Sequence, residues 1–278
     1  LFTERMVNMK NTALITGATS GLGLSYAKYF ASAGYDLILT GRRREIIQKN
    51  AETLQKRYHI KAEVLIVELS DPNGISHLLS CIRDRDIHVL VNNAGFGLKP
   101  FFADTPQEDI EKMLYLQIWC VTQLTHCVLK GMLQRHDGII INISSDGAFA
   151  VMPHNVLYSS TKLYILNFTE GLHTELVGTG VHVQAVCPGF IDSHFHENAG
   201  MHMDKNKKGM FGFRQPDDIV ADAMKDFRKG KVVSVPDAGA KLIRFMGRFM
   251  PRKAFYKMSA SFSAGVIKKK ANTSASHK

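Results

Sequence analysis

The sequence predicts an α/β fold: a doubly wound parallel sheet forming a single domain, followed by a basic helical tail. Three observations predict it. Short strands alternate with helical segments of ten or more residues along most of the chain. The strands are unbroken Ile, Leu and Val runs, the character of strands covered on both faces. A glycine cluster, "TGATSGLG" (16–23), separates the first strand from the first helix.

"TALITG" (12–17) is a short apolar β-type run, and "LGLSYAKYFASAG" (22–34) reads as a helix stopped by Gly34. "DLILTG" (36–41) is a second strand. "REIIQKNAETLQKRY" (44–58) has helical spacing, with Ile46, Ile47, Leu54 and Tyr58 available to one side. "AEVLIVEL" (62–69) is a third strand and "PNGISHLLSCIRDR" (72–85) a third helix. "IHVLVNNAG" (87–95), "GIIINISS" (138–145) and "VHVQAVCPG" (181–189) supply three more strands, with "KVVSVP" (231–236) a candidate seventh. No internal repeat or low-complexity linker interrupts the series. Residues 1–240 therefore read as one domain with its core at 10–236, and 241–278 as a basic extension.

Composition narrows the function. The chain has 278 residues, 45% hydrophobic and 22% charged, an ordinary globular balance. No run reaches the ~18 apolar residues of a spanning helix. The first ten residues, "LFTERMVNMK", lack an apolar core, so no secretory signal is expected; Met6 and Met9 are candidate starts, and Leu1 a candidate processed or tagged end. Cys81, Cys120, Cys127 and Cys187 form no CxxC pair, so reduced, buried cysteines and a cytoplasmic location are expected. The net charge of +10 is unevenly placed: ten Lys or Arg and no Asp or Glu follow residue 240, against 25 basic and 25 acidic residues before it. A neutral body with a basic tail does not predict a nucleic-acid surface.

The glycine cluster predicts a phosphate cradle. Gly17, Gly21 and Gly23 lack Cβ where the backbone turns and where a pyrophosphate approaches, with Thr19, Ser20 and Leu22 between them. The following helix aims N–H groups and a partial positive charge at the phosphate. At the end of the second strand an acidic residue would select a free ribose hydroxyl. Here "LTGRRRE" offers Arg42 and Arg43 instead, whose planar forks suit a 2′-phosphate. The expected cofactor is NADP(H).

With these motifs in place the chain resembles the short-chain dehydrogenase/reductase family over residues 10–236, which implies a Rossmann-like sheet. The motifs that carry the resemblance are "TGATSGLG", "NNAG" (92–95), Ser145, "YSSTK" (158–162) and "PG" (188–189), in the family's order. The resemblance implies hydride transfer, with Tyr158 as acid/base, Ser145, thirteen residues earlier, as the oxyanion-stabilising donor, and Lys162 binding the nicotinamide ribose. A free tyrosine has a pKa of about 10, and Lys162, one helical turn on, is expected to lower it. A drop of about three units needs about 4 kcal/mol, shared with the positive ring of the oxidised cofactor. The resemblance further implies cofactor contacts from Asn92, Ala94, Gly95, Pro188, Gly189, Ile191 and Ser193, the last in place of a usual threonine.

Two positions depart from the family pattern. Gln117, in "MLYLQIWCVTQLT" (113–125), stands where the family carries a catalytic asparagine whose carbonyl holds a relay water, so a slower or retuned relay is expected. Glu68, with Leu69 beside it, replaces an adenine-side aspartate; either Glu68 or Asp71 is a candidate for that role.

Residues 190–216 are rich in Met, Phe and His. Met201, Met203, Met210, Phe195, Phe211 and Phe213 would form an adaptable apolar lid, which suits a bulky apolar ketone or alcohol, steroid-like or 3-oxoacyl. His194, His196 and His202 read as loop histidines, and no metal is expected. In "KLIRFMGRFM" (241–250), Lys241, Arg244 and Arg248 form one stripe, and Leu242, Phe245 and Phe249 with Ile243, Met246 and Met250 the apolar remainder. Such a helix docks on the body, meets a second subunit, or lies peripherally on an anionic membrane. The resemblance implies a homodimer or homotetramer through the helices bearing Gln117 and Tyr158. Two other classes stay open: a cofactor-sensing binding protein with little turnover, and a membrane-surface lipid-handling protein.

Overall fold

The computed structural model describes residues 11–98, 100–151, 153, 155–192, 210 and 212–261. Seven strands form one sheet, all pairs parallel, in the order β3-β2-β1-β4-β5-β6-β7. They are β1 (Thr12–Ile15), β2 (Asp36–Gly41), β3 (Ala62–Ile66), β4 (Val89–Asn92), β5 (Gly138–Ile143), β6 (Val181–Val186) and β7 (Val233–Ser234). The strand order reverses between β1 and β4, which opens a crevice at the carboxyl ends there. The expected fold is the one observed, and the candidate seventh strand is present.

Burial explains the unbroken apolar runs. Along β1, Ala13 and Ile15 enter one core and Leu14 the other. Val89 and Val91 against Leu90 in β4, and Ile141 and Ile143 against Ile140 in β5, divide the same way. Successive side chains point to opposite faces, so a sheet covered on both sides needs apolar residues at every step.

The first core lies under α1 (Gly21–Ser32), α2 (Arg44–Tyr58) and α7 (Pro216–Arg228). The second lies under α3 (Pro72–Ile82) and α5 (Val121–Arg135), with α6 (Val156–Glu175) beside them. On α2 the buried face is Ile47, Ala51 and Leu54, with Tyr58 packed against it. Ile46 is 42% exposed and does not join them. Steps of four and three residues keep one face, whereas adjacent residues diverge by about 100°.

Before α5 the chain forms α4 (Gln107–Leu114), and a π-helical turn, Tyr115–Cys120, joins the two. Gln117 lies in that turn. After β7, α8 (Ala238–Phe249) and α9 (252–261) pack on the body. The compositional shift at residue 240 falls inside α8. Gly239 and Ala240 are buried, and a Cβ on Gly247 would lie 2.5 Å from the Phe149 carbonyl oxygen. Lys241, Arg244 and Arg248 are exposed as expected, but the apolar remainder is not one buried face: Phe245 and Phe249 are 60% and 66% exposed. Of the four cysteines, Cys120 and Cys187 are buried, whereas Cys81 and Cys127 are only partly covered. Among the described residues no helix is long and apolar enough to cross a membrane.

A buried polar ladder ties β4 and β5 to the helices above them. Asn92 Nδ2 donates to Asn142 Oδ1 at 2.9 Å and Thr125 Oγ1 at 3.2 Å, and Asn142 Nδ2 donates to Thr169 Oγ1 at 2.9 Å. Removing one member leaves the next without its partner in a dry site. Asn92→Ala is expected to lower stability by about 1–3 kcal/mol, read from urea midpoints.

Candidate active site

The glycine turn is held from three sides. Ala18 N donates to Thr40 O at 3.0 Å, Asn50 Nδ2 to Thr19 O at 3.1 Å, and Asn93 Nδ2 to Thr16 O at 2.8 Å and Gly17 O at 3.1 Å. Thr16 Oγ1 accepts from Asn93 N and Ala94 N at 2.9 and 3.0 Å. Gly17 and Gly21 adopt φ of +67° and +58°, which disfavours other residues. Gly23 is required for contact instead: a Cβ there would lie 2.3 Å from Gly17 O and 2.6 Å from Asn93 Nδ2. Leu22 is buried in the core, so only its main chain can serve a ligand.

The two arginines take different positions. Arg43 Nη2 donates to Thr19 Oγ1 at 2.9 Å and Ser20 Oγ at 3.1 Å, which sets its guanidinium over the glycine turn. Arg42 pairs with Glu68 at 3.1 Å, with side chains 72% and 44% exposed. Partial burial raises the Glu68 pKa, but hydrogen bonds from Ser70 N, Ser70 Oγ and Arg42 outweigh it and hold the carboxyl below its ordinary range. Asp71 caps α3, accepting from Asn73 N. Leu69 is buried, and its side chain faces the core.

The Asn92 amide serves the buried ladder of the central sheet. The neighbour that touches the glycine turn is Asn93, which the motif reading passed over. Its signal was available: two adjacent asparagines ending a buried strand, one for each side of the pleat.

Ser144 and Ser145 divide two tasks at the end of β5. Ser144 Oγ donates to the Lys162 carbonyl at 2.7 Å. Ser145 caps a 3₁₀ turn, Asp146–Phe149: its Oγ accepts from Gly147 N at 3.1 Å and donates to Asp146 Oδ1 at 3.0 Å. Ser145 is also hydrogen-bonded to Tyr158. A Cβ on Gly147 would lie 3.4 Å from both Ser145 Oγ and Tyr158 Cε1, so this position keeps the turn against the ring.

Lys162 is 4% exposed. Its ammonium donates to Ile143 O at 2.9 Å and stands 5.6 Å from the Tyr158 ring centroid. Gly95 and Gln117 close this corner: a Cβ on Gly95 would be 3.6 Å from Lys162 Nζ and 3.7 Å from Gln117 Cδ. Gln117 is fully buried, and both ends of its amide are engaged. Nε2 donates to Phe96 O at 2.7 Å, and Oε1 accepts from Thr161 Oγ1 at 3.1 Å.

The expected lowering of the Tyr158 pKa is not what this geometry produces. Burial raises it well above the ordinary value, the Ser145 hydrogen bond lowers it, and Asp146 raises it. Lys162 responds to the same desolvation: burial lowers its pKa to about 8 against a small opposing effect of Cys187. The reason is distance and medium, since a cation aimed at a carbonyl several ångströms off cannot offset the loss of water around a phenol.

The "PG" turn after β6 is strapped twice. Asp146 N donates to Pro188 O at 2.9 Å, and Gly189 N donates to Asp237 Oδ2 at 2.9 Å. Ile191 bridges to Arg214. Ser193, together with Phe195, Met201, Met203, Phe211, His194, His196 and His202, lies outside the described residues. Phe213 packs on Phe190 at 5.7 Å, and Met210 is 50% exposed.

Because Lys162 has a folded pKa of about 8 against an ordinary value of 10.5, the folded chain binds fewer protons than the unfolded chain between those values. Stability is therefore expected to rise with pH across that window and to be penalised fully below pH 8. Urea titrations of wild type and Lys162→Met would read this, with the slope smaller in the variant.

Comparison with known proteins places this constellation. A family profile described as short chain dehydrogenase matches residues 11–204. A very-long-chain 3-oxoacyl-CoA reductase from Anas platyrhynchos is 33% identical over 198 residues, 69% of this chain and 64% of that one. The match thus spans less than two thirds of that relative's length. Sulfoacetaldehyde reductase 2 from Chromohalobacter salexigens is 36% identical over 67% of this chain and 75% of that one. A short-chain dehydrogenase from Sphingobium yanoikuyae, solved in complex with NADPH, superposes with a TM-score of 0.76 at 27% identity, covering 93% of this chain and 95% of that one. The glycine turn, the convergence of Ser145, Tyr158 and Lys162, and these likenesses lead to one conclusion: the chain belongs to the short-chain dehydrogenase family.

Proposed function

We propose that this protein is an NADP(H)-dependent oxidoreductase that interconverts a ketone and a secondary alcohol on a bulky apolar substrate. The observation that carries the reading is the Ser145–Tyr158 hydrogen bond beside the buried Lys162, at the carboxyl edge of the sheet. The cofactor fits the residues present. Gly23 and Gly41 leave no room for a Cβ beside the turn, Ser20 precedes α1 without a side-chain cap bond, and Arg43 holds a guanidinium over Thr19 and Ser20. Arg43, Thr19 and Ser20 would hold the 2′-phosphate end, and Lys162 with Gly95 the nicotinamide end. When bound, the dinucleotide supplies or accepts the hydride.

The protein's own residues manage the proton. Tyr158 keeps its phenolic proton at neutral pH because burial holds its pKa high, so it is poised as the acid of carbonyl reduction. Ser145 is in place to bond the reacting oxygen. Gln117 braces Thr161, the residue before Lys162, and so fixes the registry of α6 against the turn after β4. This bracing supports a retuned relay in place of the family's asparagine.

A depression lined by Leu98, Pro100, Phe102, Thr105, Val156 and Leu157 is shared by Tyr158. None of these residues is charged, which supports an apolar substrate such as a 3-oxoacyl chain or steroid. The relatives' names include a 3-oxoacyl-CoA reductase and a sulfoacetaldehyde reductase. Exposed Trp119 and Leu163, 50% and 51% accessible on the helices bearing Gln117 and Tyr158, support a homodimer or homotetramer. Phe245 and Phe249 beside Lys241 and Arg248 on the outer face of α8 support contact with an anionic membrane surface.

A panel of ketones and secondary alcohols, run with NADP(H) and NAD(H), tests the activity. Tyr158→Phe is expected to lose about 10²–10⁴ in kcat. Arg43→Ala is expected to raise KM for NADPH by about 10- to 100-fold, the value of one or two charge-assisted bonds, with little change for NADH. Failure of the wild type to oxidise NADPH with every ketone would support the binding-protein reading. Co-sedimentation with phosphatidylserine vesicles tests the tail, and Phe245→Ser with Phe249→Ser is expected to abolish it.

A further inference from the structure

The turn that carries Ser145 holds an acidic group that the reaction as described leaves unused. We propose that Asp146 is a positioning residue that sets the direction in which the Ser145 hydroxyl points its proton, and so biases the site between alcohol oxidation and ketone reduction. The inference rests on the oxidoreductase reading and deepens it.

The argument is an accounting of one hydroxyl. Ser145 Oγ has one proton to give and two lone pairs to receive. Gly147 N–H occupies one lone pair at 3.1 Å, and Asp146 Oδ1 takes the proton at 3.0 Å. One lone pair remains toward Tyr158, its other hydrogen-bond partner. With Asp146 ionised, its carboxylate competes for the one proton that Ser145 would otherwise give to Tyr158 or the reacting oxygen. That suits an alcohol, which must surrender its proton, and denies a ketone the donor it needs. With Asp146 protonated, the carboxyl O–H donates to the remaining lone pair of Oγ. The Ser145 proton is then released toward the reacting oxygen, where it stabilises the charge that develops on reduction. No bond to carbon is made or broken by Asp146. It moves one proton between its own carboxyl and solvent and thereby turns one hydrogen bond.

The surroundings place this switch near neutrality. Burial pushes the Asp146 pKa up to about 6, against the Ser145 hydroxyl and the Gly147 N–H and with Asp237. Among the described residues, Tyr158 on α6 faces it, Asp237 stands at the start of α8, and Cys187, whose thiol burial raises to about 12, follows β6. Arg214 Nε reaches Asp237 at 3.8 Å, and Arg244 stands over the Phe149 ring at 5.6 Å. Gly189 covers the pair: a Cβ there would lie 3.6 Å from Asp146 Oδ2 and 3.7 Å from Asp237 Cγ.

The test is kcat/KM for ketone reduction and alcohol oxidation from pH 5.5 to 8 with saturating NADPH or NADP⁺. In the wild type, reduction is expected to fall about tenfold from pH 5.5 to 7.5 as oxidation rises. Asp146→Asn does not titrate, so its reduction and oxidation profiles are both expected to lose this limb and run flat across the range. Asp237→Asn removes a like charge and is expected to move the wild-type limb to lower pH. Melting temperature and NADPH fluorescence establish that each variant is folded, and Asp237→Asn carries the test if Asp146→Asn is not. An active wild type whose acid limb persists unchanged in the folded variants overturns this proposal alone. A wild type that turns over no ketone or alcohol overturns the oxidoreductase reading and this one together.

Discussion

A single ammonium buried against one carbonyl organises the chemistry of this chain. Lys162 donates to Ile143 O and thereby pins α6 to the end of β5. Ser144, bonding the Lys162 carbonyl, pins the same point from the other direction. Tyr158, one turn earlier, is then carried to Ser145, and Gly95 and Gln117 close over the Nζ. A buried group with a lowered pKa in a cleft is the usual mark of a working site.

The cofactor side follows a different logic, that of close approach. Backbone meets backbone where Gly23 crosses Gly17 and where Gly41 passes Thr19, at distances that exclude any side chain. Asn93 then stitches the turn to β4 across the point where the strand order reverses. The glycine turn is therefore held by the protein's own bonds and contacts, and donors fixed in this way lose little freedom on binding. Arg42 and Arg43 show how charge is distributed around it. One guanidinium is neutralised by Glu68 on the outside, and the other is left over the turn.

Much of this was legible in the primary structure, and the exceptions share a cause. Strand positions, the glycine turn and the Tyr158–Lys162 pair rest on local periodicity and local sterics. The misreadings all needed a third dimension. Ile46 and Ile47 are equally apolar, and only the angle of α2 on the sheet separates them. Asn92 and Asn93 are chemically identical, and the pleat alone assigns one to the buried ladder and the other to the glycine turn. The tail divided similarly: its cations are outside as the pattern required, but its apolar residues split between the Phe149 side and solvent.

The sequence by itself determined the α/β class, the order of strands and helices, the turn that only glycine can form and the four-residue spacing of phenol and ammonium. Those are properties of neighbours along the chain, set by backbone sterics and by alternation of polar and apolar side chains. The tertiary structure decided which carboxylates stand beside Ser145, which asparagine reaches the glycine turn, and whether burial or charge governs Tyr158. Asp146 and Asp237 are 91 residues apart along the chain yet face one another under Gly189. Electrostatic balance depends on distance and on exclusion of water, and neither exists until the sheet and its helices have closed.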